Sequence, residues 1–513
     1  MIKMKRNHSR SSFPQSPMVV LVLLLVATLL LCLWTRTRRR SVNPPGPPSW
    51  PIIGNILNIP SVEPWLALSD LKKSYGDLIY LHGLGNKVLV LNSLTAINDL
   101  LHKRSSVYSH RPILTVASEL MQLTRSLVFM PYGSEWREHR KLAHLALGLT
   151  AVKKYQVIQE DITVLLCKDI LETPQNFHSL VRLASGRLVI SITYGFSVPA
   201  GSKFIDLSEK AMAICGAAAV PGAYLCDALP ILKHLPSWMP FHRDAERGKN
   251  AATQAATEPF KRFTDDLQRG AARPSLAYDL LCGEIEEVPE ERAKWVLGTM
   301  FVAGSETTHG ITITFILAMA LHPDKQRIAQ AEIDGLLNTE NRMPLLSDLP
   351  NLPYLNAVMK ETMRWHPILP FCIARRTGEE SEYDGYTIPK DTVVIPNVWS
   401  VAFAPDDRYD PHEFIPERFL PSNSQPPPDP ASYIFGFGKR VCPGKALGEG
   451  TVFLFLASIL STFKISLPEE TVKNPPSFQS GLTSFPNPFK CNIVPRSEVH
   501  AERVKRRAEQ CQS

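Results

Sequence analysis

The ten residues FGFGKRVCPG, Phe435 to Gly444, set a single cysteine between glycines, with two cations upstream and a proline immediately after. Gly438 permits a tight turn, and Gly444 lets the backbone approach a flat ligand closely. Pro443 stands where a helix running through GKALGEGTVFLFLASIL can begin, since proline fits the first helical turn. A thiol at a helix N-terminus meets the positive end of the dipole and exposed amides, which favours the thiolate. An anionic sulfur held in that way suits a soft metal.

Outward from that loop the chemistry thins. The other eight cysteines, Cys32, Cys167, Cys215, Cys226, Cys282, Cys372, Cys491 and Cys511, are scattered without a C-x-x-C pair. Such a distribution argues against a disulfide framework or a zinc site and for a reducing, cytosol-facing environment. At 513 residues and 44% hydrophobic, the chain can bury a large core. No repeat or change of composition follows the first fifty residues, so one large unit over 55–513 is expected.

The net charge of +7 invites a nucleic-acid reading until it is located. Lys3, Lys5, Arg6, Arg10, Arg36, Arg38, Arg39 and Arg40 lie in residues 1–40 without an acid, and removing those eight leaves the remainder at −1. No nucleic-acid footprint survives. Between these cations, Met18 to Trp34 is uncharged and at the lower edge of a membrane-spanning length. TRTRRR follows it in place of the small-residue cleavage site of a signal peptide, so a retained anchor at 18–34 is expected behind a basic tail at 1–17. A basic, proline-rich hinge occupies 35–54, where NPPGPPSWPIIGN favours an extended strut; an ordinary flexible linker is the competing reading.

Secondary structure is mainly α with a small β portion. Leu78 to Leu91 reads as a β-hairpin. Trp295 to Leu321, Lys325 to Leu337 and Tyr354 to Trp365 read as helices, the last stopped by His366-Pro367. Strand-like pieces recur around Tyr386 to Pro396 and Phe489 to Val494. Within the long helix after Trp295, AGSETT (Ala303 to Thr308) interrupts the apolar run, and burying an acid and two hydroxyls there is costly unless they are partnered or used. Thr307 can bond back to the Ala303 carbonyl and distort the helix. A polar stripe on a partly exposed helix is the alternative. Glu361 and Arg364 in ETMR share a helix face by their three-residue spacing.

These motifs together carry a resemblance. Phe435, Gly438, Arg440, Cys442 and Gly444 match the F-x-x-G-x-R-x-C-x-G haem-binding signature of the cytochrome P-450 monooxygenases, and the phrasing of PPGPPSWPIIGN, YSHRP and YGSEWREHRK is most like fungal members of secondary metabolism. The resemblance covers nearly the whole chain. It implies that family's fold, preceded by a transmembrane helix, with haem b as cofactor and Cys442 as axial thiolate of the iron. It implies Arg440, Trp136, Arg140 and Arg375 (in preference to Arg376) as propionate ligands. Glu306 and Thr307 become the acid–alcohol pair that delivers protons to dioxygen, and Arg418 of FIPERF completes a structural triad with Glu361 and Arg364. At VAFAPDD the chain departs from relatives that have His-Asp, placing Phe403-Ala404 there.

The implied electron source is NADPH through cytochrome P-450 reductase, with cytochrome b5 a further candidate. Arg137, Lys141, Lys439 and Lys445 are candidates for docking it, although solvated surface charge explains each equally well. The expected location is the endoplasmic reticulum membrane, single-pass, with the catalytic domain cytosolic. By analogy the substrate pocket draws on Ile113 to Val128, Val296 to Ala303, Ile368 to Ile373 and Leu482 to Phe485, all mostly apolar, so a lipophilic substrate is expected. Terpenoid scaffolds come first and aromatic polyketides or indoles second. Two other classes stay open: a haem-thiolate rearrangement or dehydration enzyme, against which the Glu306-Thr307 pair argues, and a non-catalytic haem binder or membrane scaffold.

Overall fold

The computed structural model describes residues 42–511 apart from 56–57, 61, 284–287, 338–339 and 475. The anchor and basic tail expected at 1–34, and the start of the hinge, lie outside the described residues.

In chain order, the helices that carry the site are α1 (Ser134–Leu147), α2 (Gln156–Glu172), α3 (Phe177–Tyr194), α4 (Lys203–Ala218), α5 (Pro240–Gln268), α6 (Glu290–Leu321), α7 (Pro323–Leu337), α8 (Pro353–Trp365), α9 (Lys445–Thr462) and α10 (Glu498–Ala508). Prolines set several starts: Pro240 and Pro353 open their helices, where a missing N–H costs nothing. Helix α6 begins five residues earlier than the apolar run suggests, because Glu290 and Glu291 occupy its first turn, where carboxylates meet the positive dipole end.

Helix α6 is buried on all sides from Thr308 to Ala320 and packs against α3, α4, α5, α8 and α9. It therefore has no amphipathic face to read. Helix α9, buried continuously from Thr451 to Thr462, is long and apolar enough to cross a membrane, yet 72% of it is buried inside the protein, as suits a core helix.

Strands β1 (Leu78–Gly83) and β2 (Asn86–Leu91) form the expected hairpin, in register Leu78 to Leu91. The sheet continues β1-β2-β6-β3, with β3 (Arg375–Arg376) antiparallel and β2 parallel to β6 (Val393–Pro396). The segment expected as one strand piece at Tyr386 to Pro396 is two: β5 (Tyr386–Ile388) pairs with β4 (Ser381–Tyr383), and β6 belongs to the larger sheet. The C-terminal strand β8 (Asn492–Pro495) pairs not with a local hairpin partner but with β7 (Phe463–Ser466), directly after α9.

The β4–β5 hairpin with residues 42–44 forms one compact unit, in which the Thr387 N–H donates to the Val42 carbonyl. Pro45–Glu380 with Pro389–Ser513 forms the second unit, which carries everything described below. In it the proline-rich hinge is no free strut from Pro45 onward: the Tyr80 N–H of β1 donates to the Pro45 carbonyl, and a Cβ on Gly46 would meet the Tyr80 oxygen at 2.0 Å.

Candidate active site

The cysteine loop is held by its own backbone. Gly436 and Gly438 adopt φ of 81° and 52°, and the Cys442 N–H donates to the Phe435 carbonyl at 2.7 Å. A Cβ on Gly438 would lie 2.2 Å from the Leu101 carbonyl oxygen, so only glycine fits there. Gly444 has a φ of −87°, and a Cβ there would make ordinary contacts with the protein, at 3.8 and 3.9 Å from Leu147 Cδ1 and Cys442 Sγ. Gly444 serves as the N-cap of α9, whose first residue, Lys445, lies two residues beyond Pro443.

Cys442 is exposed by surface area, yet burial is the largest influence on its thiol and raises its pKa. Both hold when the sulfur faces a cleft within the protein. The Gly444 N–H and the Arg140 charge act in the opposite direction without overcoming burial. The Gly444 N–H is the favourable contribution expected of the helix end, and a coordinating metal is what deprotonates such a thiol outright.

Around this cleft stand buried cations that, among the described residues, form no ion pair with a carboxylate. Arg440 donates Nε to the Ser109 carbonyl (3.0 Å), Nη1 to Leu127 (3.3 Å) and Nη2 to Met130 (2.7 Å), and stacks over the Trp136 ring at 4.5 Å. Arg375 is buried; its Nη2 donates to the Phe437 carbonyl at 3.2 Å and its Nε has no partner. Arg376 turns away to pair with Asp391 at 2.5 Å, so the two arginines of IARRT are separated by environment. Burial lowers the Arg140 guanidinium and pushes Arg440 down to about 9 and Arg375 to about 10, each cation adding repulsion to its neighbours. Trp136 Nε1 is likewise buried without a partner.

A further member, Arg111, escaped the sequence reading: it is buried, donating to the Val128, Ile373 and Ala374 carbonyls. Its position in YSHRP gave no spacing to signal it. Interior cations without counter-charges are costly. Free donors and positive charge fit a ligand with carboxylates, and Cys442 fits its metal; haem answers both descriptions.

On α6, Thr307 Oγ1 donates to the Ala303 carbonyl at 3.0 Å as expected, and the helix stays regular across it. Thr307 and Ala303 line an apolar hollow of about 820 Å³, counted with its open mouth. All four expected segments contribute, through Val128, Val302, Leu369 and Leu482 among others, while Phe301 and Phe485 face the core instead. The sequence reading missed the opposite wall, made by Ala211 and Cys215 of α4 and Ala252 and Ala256 of α5, because small residues in amphipathic helices look like helix packing.

Glu306, largely buried, points elsewhere: its Oε2 accepts from Arg182 Nη1 of α3 at 3.0 Å. Arg182 also reaches Glu209 of α4 at 3.2 Å. Burial raises the Glu306 pKa and Arg182 opposes it. The sequence reading did not anticipate Arg182, one of two arginines in a largely apolar helix, the other, Arg187, pairing with Asp169.

Glu361, Arg364 and Arg418 meet in the interior. Arg364 forks onto Glu361 at 2.7 and 2.9 Å, and Arg418 Nε reaches Glu361 at 3.2 Å. Both arginines also donate to the Glu413 carbonyl, fixing the segment that leads to the cysteine loop. Phe403 stacks on Trp399 at 4.4 Å and under Arg364 at 5.5 Å, which gives the departure at VAFAPDD a packing role. Of the cations proposed for docking, Arg137, Lys141 and Lys439 are exposed, while Lys445 donates to the Ala431 carbonyl at 2.7 Å.

Comparison with known proteins agrees with this geometry. The family model for cytochrome P-450 matches residues 44–493. The chain is 35% identical to cytochrome P-450 monooxygenase COX1 of Coprinopsis cinerea, over 94% of this chain and 98% of that protein. It is 34% identical to tryptamine 4-monooxygenase of Psilocybe cyanescens, over 94% and 98%. It is also 34% identical to cytochrome P-450 monooxygenase ple1 of Rhodocybe pseudopiperita, over 94% and 96%. Among solved structures, a zebrafish cytochrome P-450 with abiraterone superposes with a TM-score of 0.68 at 25% identity, covering 85% of this chain and 100% of that one.

Proposed function

This chain belongs to the cytochrome P-450 monooxygenase family, and on that premise we propose that it hydroxylates a lipophilic small molecule of fungal secondary metabolism, a terpenoid scaffold first, using dioxygen and NADPH. Bound haem supplies the activation of dioxygen and its insertion into a C–H bond. Cys442 Sγ would hold the haem iron. Arg375, Arg140, Trp136 and Arg440 would hold the carboxylates, the first through its unpartnered Nε. Phe435, Gly438 and Gly444 shape the loop. Thr307 would hold a proton at the pocket wall, with Glu306 supplying it from behind the helix.

The electrons would come from a reductase, with cytochrome b5 as a further donor, docking at Arg137, Lys141 and Lys439. The enzyme would sit at the endoplasmic reticulum membrane through residues 18–34, its catalytic domain cytosolic.

The observation that carries this reading is Thr307 standing in the wall of the apolar hollow. An indole or aromatic polyketide is the second substrate reading, supported by the likeness to tryptamine 4-monooxygenase. The test is incubation of microsomes carrying the protein and a reductase with NADPH and a panel of both classes. Mass spectrometry should find one added oxygen, absent in Cys442→Ala. Isomerised or dehydrated product without added oxygen would establish a rearrangement enzyme instead, and no conversion despite thiolate-bound haem would support a non-catalytic haem protein.

A further inference from the structure

An acid that supplies protons must regain each one it gives up, and the ion-pair partner of Glu306 cannot return it. Arg182 Nη1 holds Glu306 Oε2 at 3.0 Å, and Glu209 lies beyond the same guanidinium at 3.2 Å. A guanidinium stays charged at any working pH, so it orients the carboxylate without passing protons on. Glu306 has little direct access to solvent, its side chain being 13% exposed.

One turn further along α6 stands His309, which is 1% exposed; among the described residues, no protein group makes a hydrogen bond to either of its ring nitrogens. Buried polar atoms of this kind are costly, and native proteins satisfy them with water or put them to use. The Phe485 ring, edge-on at 5.3 Å, offers no partner. The titratable ring beside His309 is that of His178 on α3, 6.4 Å away between ring centres. That is too far for a direct hydrogen bond and suits one bridging water. His178 is only partly buried, and its Nε2 accepts from the Phe489 N–H at 3.4 Å, which leaves Nδ1 to carry the hydrogen.

The four side chains form two rungs between helices that pack on one another. His178 lies one turn before Arg182 on α3, and Glu306 one turn before His309 on α6, so the histidine rung runs beside the ion pair. Burial, and then the Arg182 charge, hold the His309 pKa well below its ordinary value, and burial brings that of His178 down to about 4. Both rings are therefore neutral near pH 7, each with one nitrogen that accepts and one N–H that donates.

We propose that His309 is a proton-carrying residue behind the active site, joined through a buried water to His178 on the solvent side and passing protons towards Glu306. One nitrogen of His309 takes a proton from the water as the other gives one up, so the ring carries no net charge through the transfer, and turning of the ring restores it. The proton leaves solvent at His178 and ends on the Glu306 carboxylate, replacing the one given to Thr307. This rests on the monooxygenase reading and adds to it the route by which the acid is resupplied.

The test has two arms. A high-resolution crystal structure of the ferric holoprotein should show an ordered water within hydrogen-bonding distance of a His309 nitrogen. A dry, partnerless ring would overturn the proposal whether or not the protein turns over. In the second arm, His309→Phe keeps a ring of similar size without its nitrogens. With reductase, NADPH and a substrate found in the panel above, its kcat should fall about tenfold with KM unchanged, and the rate should drop more in D2O than that of the parent. Its melting temperature should equal or exceed that of the parent, since two unsatisfied buried atoms are removed.

His178→Phe, at the partly buried end, should change kcat and the solvent isotope effect in the same direction, and carries the test where His309→Phe takes up no haem. A kcat within about twofold of the parent in both variants would overturn the proposal, as would a loss of rate with an unchanged solvent isotope effect. Oxygenation missing from the parent itself would count against the monooxygenase reading alone, because the water at His309 is observed without turnover.

Discussion

Arg182 of α3 meets Glu306 of α6 with Nη1 3.0 Å from Oε2, and the same guanidinium reaches Glu209 at 3.2 Å. One cation thus faces two acids, one of them next to Thr307 on α6. Burial raises the Glu306 pKa and Arg182 lowers it, so the ion pair sets when this acid holds its proton.

Glu306→Gln keeps the size but carries no exchangeable acid, and product formation should fall by about 100-fold while NADPH consumption persists. Arg182→Ala removes the lowering influence, so Glu306 stays protonated to higher pH. The alkaline limb of the pH–rate profile should therefore move upward in Arg182→Ala and be unchanged if Glu306 has no part in proton supply.

Glu361→Ala leaves Arg364 and Arg418 buried with one carboxylate fewer, both being less than 5% exposed. Removing one member of such a set costs about 3–5 kcal/mol. Thermal unfolding and the haem-to-protein absorbance ratio should both drop. A melting temperature equal to that of the parent would show that the triad does not hold the segment through Glu413.

Gly438→Ala and Gly444→Ala should separate cleanly. The first sets a Cβ 2.2 Å from a backbone oxygen at φ 52°, a clash that no rotamer relieves, and haem uptake should be lost. The second meets only ordinary contacts and should fold as the parent does. Equal haem content in the two variants would refute this account of the loop.

His366 is buried, stacked at 3.8 Å on Phe478 and bonded through Nε2 to Ser484 Oγ at 2.8 Å. Burial pushes its pKa down to about 3, and that of His178 to about 4. Between these values and the unfolded 6.5 the unfolded chain binds more protons than the native one, so stability is lost as pH falls. For His366 the loss should reach about 2 kcal/mol by pH 5. His366→Gln should show a smaller drop in denaturation midpoint between pH 7.5 and pH 5 than the parent; an equal drop would exclude His366 as a source.

Much of this was legible because it is written in local spacing. The cysteine loop, the Thr307 bond to Ala303 and the Glu361–Arg364 pair each lie within one turn or one loop, where backbone geometry dictates who meets whom. Strand order was not legible: β8 finds β7 across more than twenty residues, and the proline-rich segment lies against β1.

The sequence by itself determined the family and the contacts written in short spacing, the Thr307 bond to Ala303 and the Glu361–Arg364 pair, since each rests on residue type at fixed short spacing. Only the tertiary structure decided that Arg182 stands against Glu306, that Arg111 joins a cluster of interior cations without acids, and that α4 and α5 open an uncharged hollow beside Thr307. Those relations join side chains far apart in the chain. They are fixed by which helix faces pack together, and short-range sequence pattern carries no record of that choice.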